Sequence, residues 1–414
     1  MWCPAHNAGA ARRGLLARRR EVSLSAVHIG LNLIFLVPGE TGGMEVYARE
    51  LLPALLGQAP AQTRFTVFVN REAAATTEGP WAALCPAVTV PVHARRRAEW
   101  VLGEQALLPP LAARAGVDLM HSMASTAPLW GPFRRVVTIH DLIYARFPEA
   151  HAGIRDRGMR VLVPAAARTS RRVIADSEST RRDLVGLLGL PGSKIDVVPL
   201  GLGTVRTAAP APAAQLRTRF ELAERAVVLS LSAKRPHKNL PALIEALALI
   251  PPARRPVLVL PGYPTWHEDE LRAQALARGV AGDVRLLGWL SGSELEGLWA
   301  LAEAFVFPSL YEGFGLPVLE AMARGVPVAC SNASSLPEVA GDAALLFDPR
   351  DVGAIAGALQ RLLAEPALRE ELRRRGLARA REFTWQRTAD LTLASYNRAL
   401  DTATGASARG SSAA

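Results

Sequence analysis

Pro308-Ser309-Leu310-Tyr311-Glu312-Gly313-Phe314-Gly315-Leu316-Pro317-Val318-Leu319-Glu320-Ala321-Met322-Ala323-Arg324-Gly325-Val326-Pro327 joins two short apolar runs, Ala304 to Phe307 before it and Val326 to Cys330 at its end. Strand, glycine loop, helix and strand is the order this composition dictates. Pro317 suits the first helical turn, where its missing N–H needs no acceptor, and Gly325 suits the stop. The backbone amides of Gly313, Phe314, Gly315 and Leu316 then converge on the positive end of a helix, an anion site fit for a diphosphate. Glu312 on the loop and Glu320 about one turn into the helix lie eight residues apart. They can accept hydrogen bonds from hydroxyls on two parts of one ligand. A capped helix with two unrelated surface glutamates is the other reading of the same residues.

Working outward, the same alternation fills the chain. In the first half the strand candidates are Val27 to Val37, Phe65 to Val69, Ala87 to Val90, Asp118 to Met120, Arg135 to Ile139, Arg172 to Ala175 and Ile195 to Val198. In the second half they are Val227 to Leu231, Val257 to Leu260, Val284 to Leu287, Ala304 to Phe307, Val326 to Cys330 and Ala344 to Phe347. Continuous apolar strands with helical crossovers imply parallel sheets covered on both faces. The predicted fold class is α/β, two Rossmann-like doubly wound parallel-sheet domains facing across a cleft. The expected layout is a disordered basic leader over 1–24, a first domain over 25–202 and a Pro/Ala-rich linker over 203–214. A second domain over 215–384 follows, then a helix over 385–402 returning to the first domain and a flexible tail over 403–414. Ligands of open α/β sheets bind beyond the carboxyl ends of the strands, so two such domains create a shared cleft.

Composition narrows the function classes. The 414 residues suit two domains, and a chain half hydrophobic and 21% charged is not disordered throughout. Cys3, Cys85 and Cys330 stand far apart, against a disulfide framework or structural zinc and in favour of a reducing compartment. The net charge is +10 and uneven: residues 1–200 carry 24 basic and 16 acidic side chains, residues 201–414 carry 24 and 22. A basic first half could face an anionic membrane, nucleic acid or a phosphorylated substrate. Its arginines are scattered and lack interleaved aromatics, which favours plain solvation. Arg12, Arg13 and Arg18 to Arg20 before the apolar run Ala26 to Val37 resemble a signal peptide, but no small-x-small cleavage site follows. The run also falls short of the roughly 20 residues that span a bilayer. The chain reads as soluble or peripheral.

Ser232-Ala233-Lys234-Arg235-Pro236-His237-Lys238-Asn239, directly after a strand, supplies cations for phosphates. The chain has three lysines among 48 basic residues, and Lys234 and Lys238 are two of them. A retained compact ammonium suggests a specific steric task on a phosphate, with a solvated turn as the alternative. Gly42 and Gly43 follow the first strand, where a substrate can approach bare backbone or the chain simply turns. His140 ends a strand and points to the cleft mouth, with Asp141 placed to orient its ring.

Glu312 and Glu320, with Gly-Phe-Gly-Leu-Pro between them, look like the E-x7-E signature of retaining glycosyltransferases of family 4, which adopt the glycosyltransferase B fold. Gly42-Gly43-Met44-Glu45-Val46-Tyr47 resembles the family's N-terminal glycine loop, His140-Asp141 its first-domain histidine motif and Leu336-Pro337-Glu338-Val339 its late signature. The resemblance covers nearly the whole chain. It implies that the first domain takes the acceptor and the second the donor, that Glu320 binds the donor ribose diol and that Glu312 binds hydroxyls of the transferred sugar. Amides of Gly313 to Leu316 would then approach the diphosphate. It puts His140 near the reacting carbon and Trp289 at the nucleobase, core packing being the other reading of that tryptophan. In the family an arginine and a lysine hold the β-phosphate. Lys238 matches the lysine, whereas His237 and Ser232 occupy the usual arginine positions, so Arg235 or Lys234 must substitute.

Retaining transfer breaks an anomeric C–O bond and leaves negative charge on the departing diphosphate, which helix amides, Lys238 and Arg235 can stabilise without a divalent metal. No cofactor is implied beyond the nucleotide-diphosphate sugar as co-substrate, and no DxD-type cation motif stands near the site. The resemblance points to mannose from GDP-mannose and to a saccharide or lipid-linked saccharide acceptor in polysaccharide synthesis. It also implies a cytoplasmic protein in peripheral contact with the anionic inner face of the membrane. Other readings are an epimerase or phosphorylase on the same fold, or an Arg-rich nucleic-acid binder, for which no recognised motif is present.

Overall fold

A computed structural model of the chain describes residues 24, 26–76, 81–147, 154–203, 208–263 and 265–401. The leader expected before Leu24, the tail expected over 403–414 and residues 204–207 of the linker lie outside the described residues.

Seven parallel strands form the first sheet: β1 (His28–Leu33), β2 (Arg64–Val69), β3 (Ala87–Thr89), β4 (Leu119–Ser122), β5 (Arg134–Ile139), β6 (Arg172–Ala175) and β7 (Ile195–Val197), in the order β3-β2-β1-β4-β5-β6-β7. Six more form the second: β8 (Val227–Leu229), β9 (Val257–Pro261), β10 (Val284–Leu287), β11 (Ala302–Phe307), β12 (Val328–Ser331) and β13 (Ala344–Phe347), in the order β10-β9-β8-β11-β12-β13. Each predicted apolar run overlaps one of these strands. Every residue of β1 and β9 is buried, because helices cover both faces of each sheet. In both sheets the chain starts in the middle and winds outward twice. The windings reverse between β1 and β4 and between β8 and β11, and the loops leaving the carboxyl ends of strands at such switch points leave a crevice for a ligand.

The connecting segment becomes regular earlier than its composition predicts. A helix spans Ala213–Arg219, taking in the last two residues of the linker expected over 203–214, because Leu216 is wholly buried and the Ala211 amide is anchored to the Ser293 carbonyl at 2.8 Å. At the other end the helix Trp385–Leu400 packs against the helix Gly43–Gln58 and against β5 and β6. It is fastened by buried polar contacts. The Tyr396 hydroxyl lies 2.7 Å from His121 Nδ1, His121 Nε2 lies 2.8 Å from Thr138 Oγ1, and Tyr47 shares that threonine hydroxyl at 3.0 Å. Ser395 donates to Asp196 at 2.7 Å and Thr388 to the Pro199 carbonyl at 2.8 Å. One apolar cluster contains Leu31, Leu229, Phe314 and Trp385, so the two sheets share a core and are not merely tethered.

Burial holds the His121 imidazole neutral, its pKa pushed down to about 3 with help from the charge on His140. Removing its partner therefore strands a buried polar nitrogen. Tyr396→Phe is expected to cost about 1–3 kcal/mol. At about 2–4 °C per kcal/mol for domains of this size, thermal denaturation should show a fall of several degrees; an unchanged melting temperature would mean that this contact does not hold the helix.

Candidate active site

The loop between β11 and the helix Leu316–Ala323 is shaped by its carbonyls. Ser335 Oγ donates to the Glu312 carbonyl at 3.0 Å and the Phe314 carbonyl at 2.5 Å, and Ser177 Oγ donates to the Gly313 carbonyl at 2.7 Å. With the carbonyls held, the amides of Gly313, Phe314, Gly315 and Leu316 are left without an acceptor among the described residues. They stand at the amino end of a helix, where partial positive charge collects. The Phe314 side chain is buried, edge-on to Phe383 at 5.8 Å, so only its backbone faces the loop's open side.

Two of the predicted charged groups meet here, and they do so differently from the expectation. Lys238 Nζ sits 2.6 and 2.9 Å from the two Glu312 oxygens, both side chains largely buried, and lies 5.5 Å from the centre of the Phe307 ring. The cation meant for phosphate and the carboxylate meant for sugar hydroxyls thus pair with each other. Their loops are neighbours because β8 lies beside β11, and the Leu310 amide donates to the His237 carbonyl at 2.8 Å across that gap. Arg235 is half-buried, and among the described residues its guanidinium has no hydrogen-bond or ion-pair partner. Glu320 is likewise half-buried with a carboxylate that no described donor reaches. Burial pushes its pKa up against the opposing pull of Arg324, with Glu296 adding to the rise.

Lys234 is a correction. It is fully buried, and its ammonium faces the Gly262 and Leu287 carbonyls and the Glu268 carboxylate, so it has no N–H left for a phosphate. Of the two substitutes for the family's arginine, Arg235 alone is free. Trp289 is 71% exposed, which rules out core packing. Gly42 and Gly43 are exposed at the start of the helix Gly43–Gln58, on the first sheet's side, with open space where a Cβ would lie.

His140 is the second correction. Its ring is oriented by Asp176, not by the adjoining Asp141: Nδ1 lies 2.7 Å from Asp176 Oδ2 and Nε2 lies 2.9 Å from the Met123 carbonyl. Both partners are acceptors only, so both ring nitrogens carry hydrogen and the ring is an imidazolium. Burial alone would lower its pKa, but the charge and hydrogen bond of Asp176, helped by the Met123 carbonyl and Asp141, raise it to about 9. Asp141 instead accepts from the Ile143 amide at 3.0 Å, and burial pushes its pKa up. Asp176 was hidden from sequence reading because it depends on strand order. Ile139 of β5 pairs with Ala175 of β6, and one step further along the same register places His140 beside Asp176.

The two domains touch at this point. Tyr311 donates to Asp183 at 2.7 Å, and the Glu338 carboxylate accepts the Glu178 and Ser179 amides at 2.8 Å each, capping the helix Glu178–Leu188 of the first domain. Two cavities lie elsewhere. One of about 780 Å³ is bounded by Glu50, Leu202, Phe383 and Trp385 at the hinge, and one of about 170 Å³ by Asp176, Glu338 and Arg379. Neither is lined by Glu312, Lys238 or Glu320. Among the described residues no group of three or more His, Cys, Asp or Glu could hold a metal ion.

Comparison with known proteins agrees with this arrangement. Residues 41–206 match the family described as Glycosyltransferase Family 4 and residues 215–379 the one described as Glycosyl transferases group 1. The O-antigen chain mannosyltransferase B of Escherichia coli is 36% identical over 267 residues, 64% of this chain and 70% of that protein. The serotype-specific mannosyltransferase WbdA of Escherichia coli is 31% identical over 65% of this chain, which spans 34% of that longer protein. In fold, the chain resembles Anabaena HepE in complex with UDP-glucose, with a TM-score of 0.67 at 21% identity over 89% of this chain and 99% of that one. The chain belongs to these glycosyltransferases, and its paired parallel sheets are the glycosyltransferase B fold.

Proposed function

We propose that the chain moves a mannosyl group, with retention of anomeric configuration and without a metal, from GDP-mannose to a saccharide or lipid-linked saccharide in cell-surface polysaccharide synthesis. The carrying observation is the set of four acceptor-free amides at a helix start, with the unpaired Arg235 on the neighbouring β8 loop. Such a set fits anions, a diphosphate among them. The names of the two mannosyltransferase relatives favour mannose as the sugar.

In this reading the donor divides the Lys238–Glu312 pair. The ammonium turns to the β-phosphate and the carboxylate takes sugar hydroxyls, so each charge leaves one partner for another and neither is stranded in the cleft. Glu320 accepts from the ribose diol. As the anomeric C–O bond breaks, its electron pair passes to the phosphate oxygen, where the amides, Arg235 and the turned Lys238 stabilise the developing charge. The acceptor hydroxyl attacks from the same face, and its proton goes to that oxygen. His140 is no general base, since both ring nitrogens donate. It contributes a fixed positive charge near the sugar and a backbone carbonyl close to Gly313. Gly42 and Gly43 leave bare backbone on the opposite wall, and Trp289 offers an aromatic face to the base. No described helix is long and apolar enough to cross a membrane, and a basic first half would meet a lipid-linked acceptor at the anionic cytoplasmic surface.

Release of GDP from GDP-mannose in the presence of an acceptor saccharide tests the assignment. Glu320→Ala is expected to raise the donor KM about tenfold, and Lys238→Ala to lower kcat by about 10²-fold or more. Wild-type rates in both variants would remove the site.

The His140 imidazolium gives a pH dependence whose sign is fixed. Its pKa rises from 6.5 unfolded to about 9 folded, so its contribution to stability is complete below pH 6.5 and is lost as pH rises through 9. The melting-temperature gap between wild type and His140→Gln should therefore shrink between pH 6 and pH 9.5. A gap constant across that range would show that the ring is neutral in the fold.

A further inference from the structure

Beyond β8, β9 and β10, which together form one edge of the second sheet, three loops are gathered around a single ammonium. Lys234 is wholly buried; its Nζ donates to the Gly262 carbonyl at 3.0 Å and the Leu287 carbonyl at 2.7 Å and lies 3.3 Å from Glu268 Oε2. Three acceptors match the three N–H bonds of –NH₃⁺, one more than a neutral amine offers. The backbone adds to the tie. The Thr265 hydroxyl donates to the Lys234 carbonyl, the Lys234 amide donates to the Tyr263 carbonyl at 3.4 Å, and the Gly262 amide to the Gly288 carbonyl at 3.4 Å. Gly262 has φ +144, and a Cβ there would fall 1.9 Å from the Ser232 carbonyl oxygen, so the β8 and β9 loops touch through bare backbone.

The loops tied in this way are unusual in what they expose. Tyr263 is 57%, Trp266 68% and Trp289 71% exposed, three large aromatic side chains on adjoining loops of one sheet edge. The loop that carries Lys234 also carries Arg235 and Lys238. One buried cation therefore sets the spacing between a phosphate-binding loop and an aromatic surface.

We propose that Lys234 is a positioning residue which holds the β9 and β10 loops against the β8 loop, fixing Trp289 as a ledge for the base of a nucleoside diphosphate at a set distance from Arg235 and Lys238. This rests on the donor-binding reading above. Without the ammonium, two half-buried carbonyls lose that donor and the Glu268 carboxylate keeps only Arg272, and the loops separate to reach water. Base affinity falls, while the phosphate groups on the β8 and β11 loops keep theirs. The lowered pKa of Lys234, caused by burial and partly offset by Glu268, fits an ammonium whose retention depends on those acceptors.

The test compares two inhibitors of the full-length enzyme, GDP (or UDP, whichever the wild type binds) and inorganic pyrophosphate. Lys234→Met should weaken the nucleotide about tenfold, the scale of one base–aromatic contact, with pyrophosphate inhibition and kcat at saturating donor unchanged. Trp289→Ala should likewise weaken the nucleotide and spare pyrophosphate inhibition. If Lys234→Met fails to fold, Glu268→Gln, which keeps both carbonyl partners, carries the comparison, with a smaller nucleotide loss and the same indifference to pyrophosphate. Equal weakening of nucleotide and pyrophosphate would place Lys234 on the phosphate and overturn the proposal, as would no change in either. Should the wild type bind no nucleotide at all, the donor reading fails and this inference with it; wild-type binding without the split sinks this inference alone.

Discussion

The carbonyl oxygen of His140 lies 2.0 Å from where a Cβ on residue 313 would stand, so the first domain can approach the second this closely only across a glycine. From that contact the rest of the site follows. With Gly313 pressed against the end of β5, its carbonyl comes within reach of the Ser177 and Thr180 hydroxyls, at 2.7 and 3.2 Å. A carbonyl held on the first domain's side forces the amides that follow to present their N–H groups elsewhere. The same approach lets Glu338 reach the bare amides at the start of the helix Glu178–Leu188. The anion site of the second domain is therefore shaped by hydroxyls of the first, and a separated second domain would lose part of its loop geometry.

Charge in the cleft is divided into settled and unsettled groups. His140 and Asp176 are paired through one carboxylate oxygen, and Lys234 is settled among its three acceptors. Lys238 and Glu312 form an intermediate case: they are paired in a geometry that desolvates both, and a donor carrying phosphates and hydroxyls offers each a replacement partner. Arg235 and Glu320 have no partner among the described residues and stand half-buried. Unpaired charge in a partly dry cleft is costly, and in the reaction proposed above the donor would relieve it.

The sheets were legible because strands buried on both faces leave unbroken apolar runs, and each of those runs became a strand. The glycine loop was legible for a related reason: proline and glycine fix local backbone regardless of what packs around them. Asp176 and the Lys238–Glu312 pair were not, since both depend on which strands are neighbours. His140 meets Asp176 only because β5 borders β6, and Lys238 meets Glu312 only because β8 borders β11. Asp141, adjacent in sequence, looked like the natural partner of His140, yet successive residues leaving a strand point to opposite faces, so Asp141 turned away to accept the Ile143 amide.

The two lysines of the β8 loop show how far composition can carry a reading. Scarcity of lysine argued that each one retained does something arginine cannot, and the surroundings of Lys234, three acceptors for three N–H bonds, fit an ammonium. The inference went wrong in giving them the same task. Lys238 ends a short 3₁₀ turn over Pro236–Lys238, which aims it at the β11 loop. Lys234 precedes that turn at the centre of a tight bend, closed by the Arg235 amide donating to the Ala233 carbonyl at 2.8 Å, and the Tyr263 carbonyl and the Thr265 hydroxyl hold its main chain against the neighbouring loop. A planar guanidinium with five donors would find only three acceptors in that wholly buried space. A compact ammonium finds all its partners there, and so lysine persists at a position that no phosphate touches.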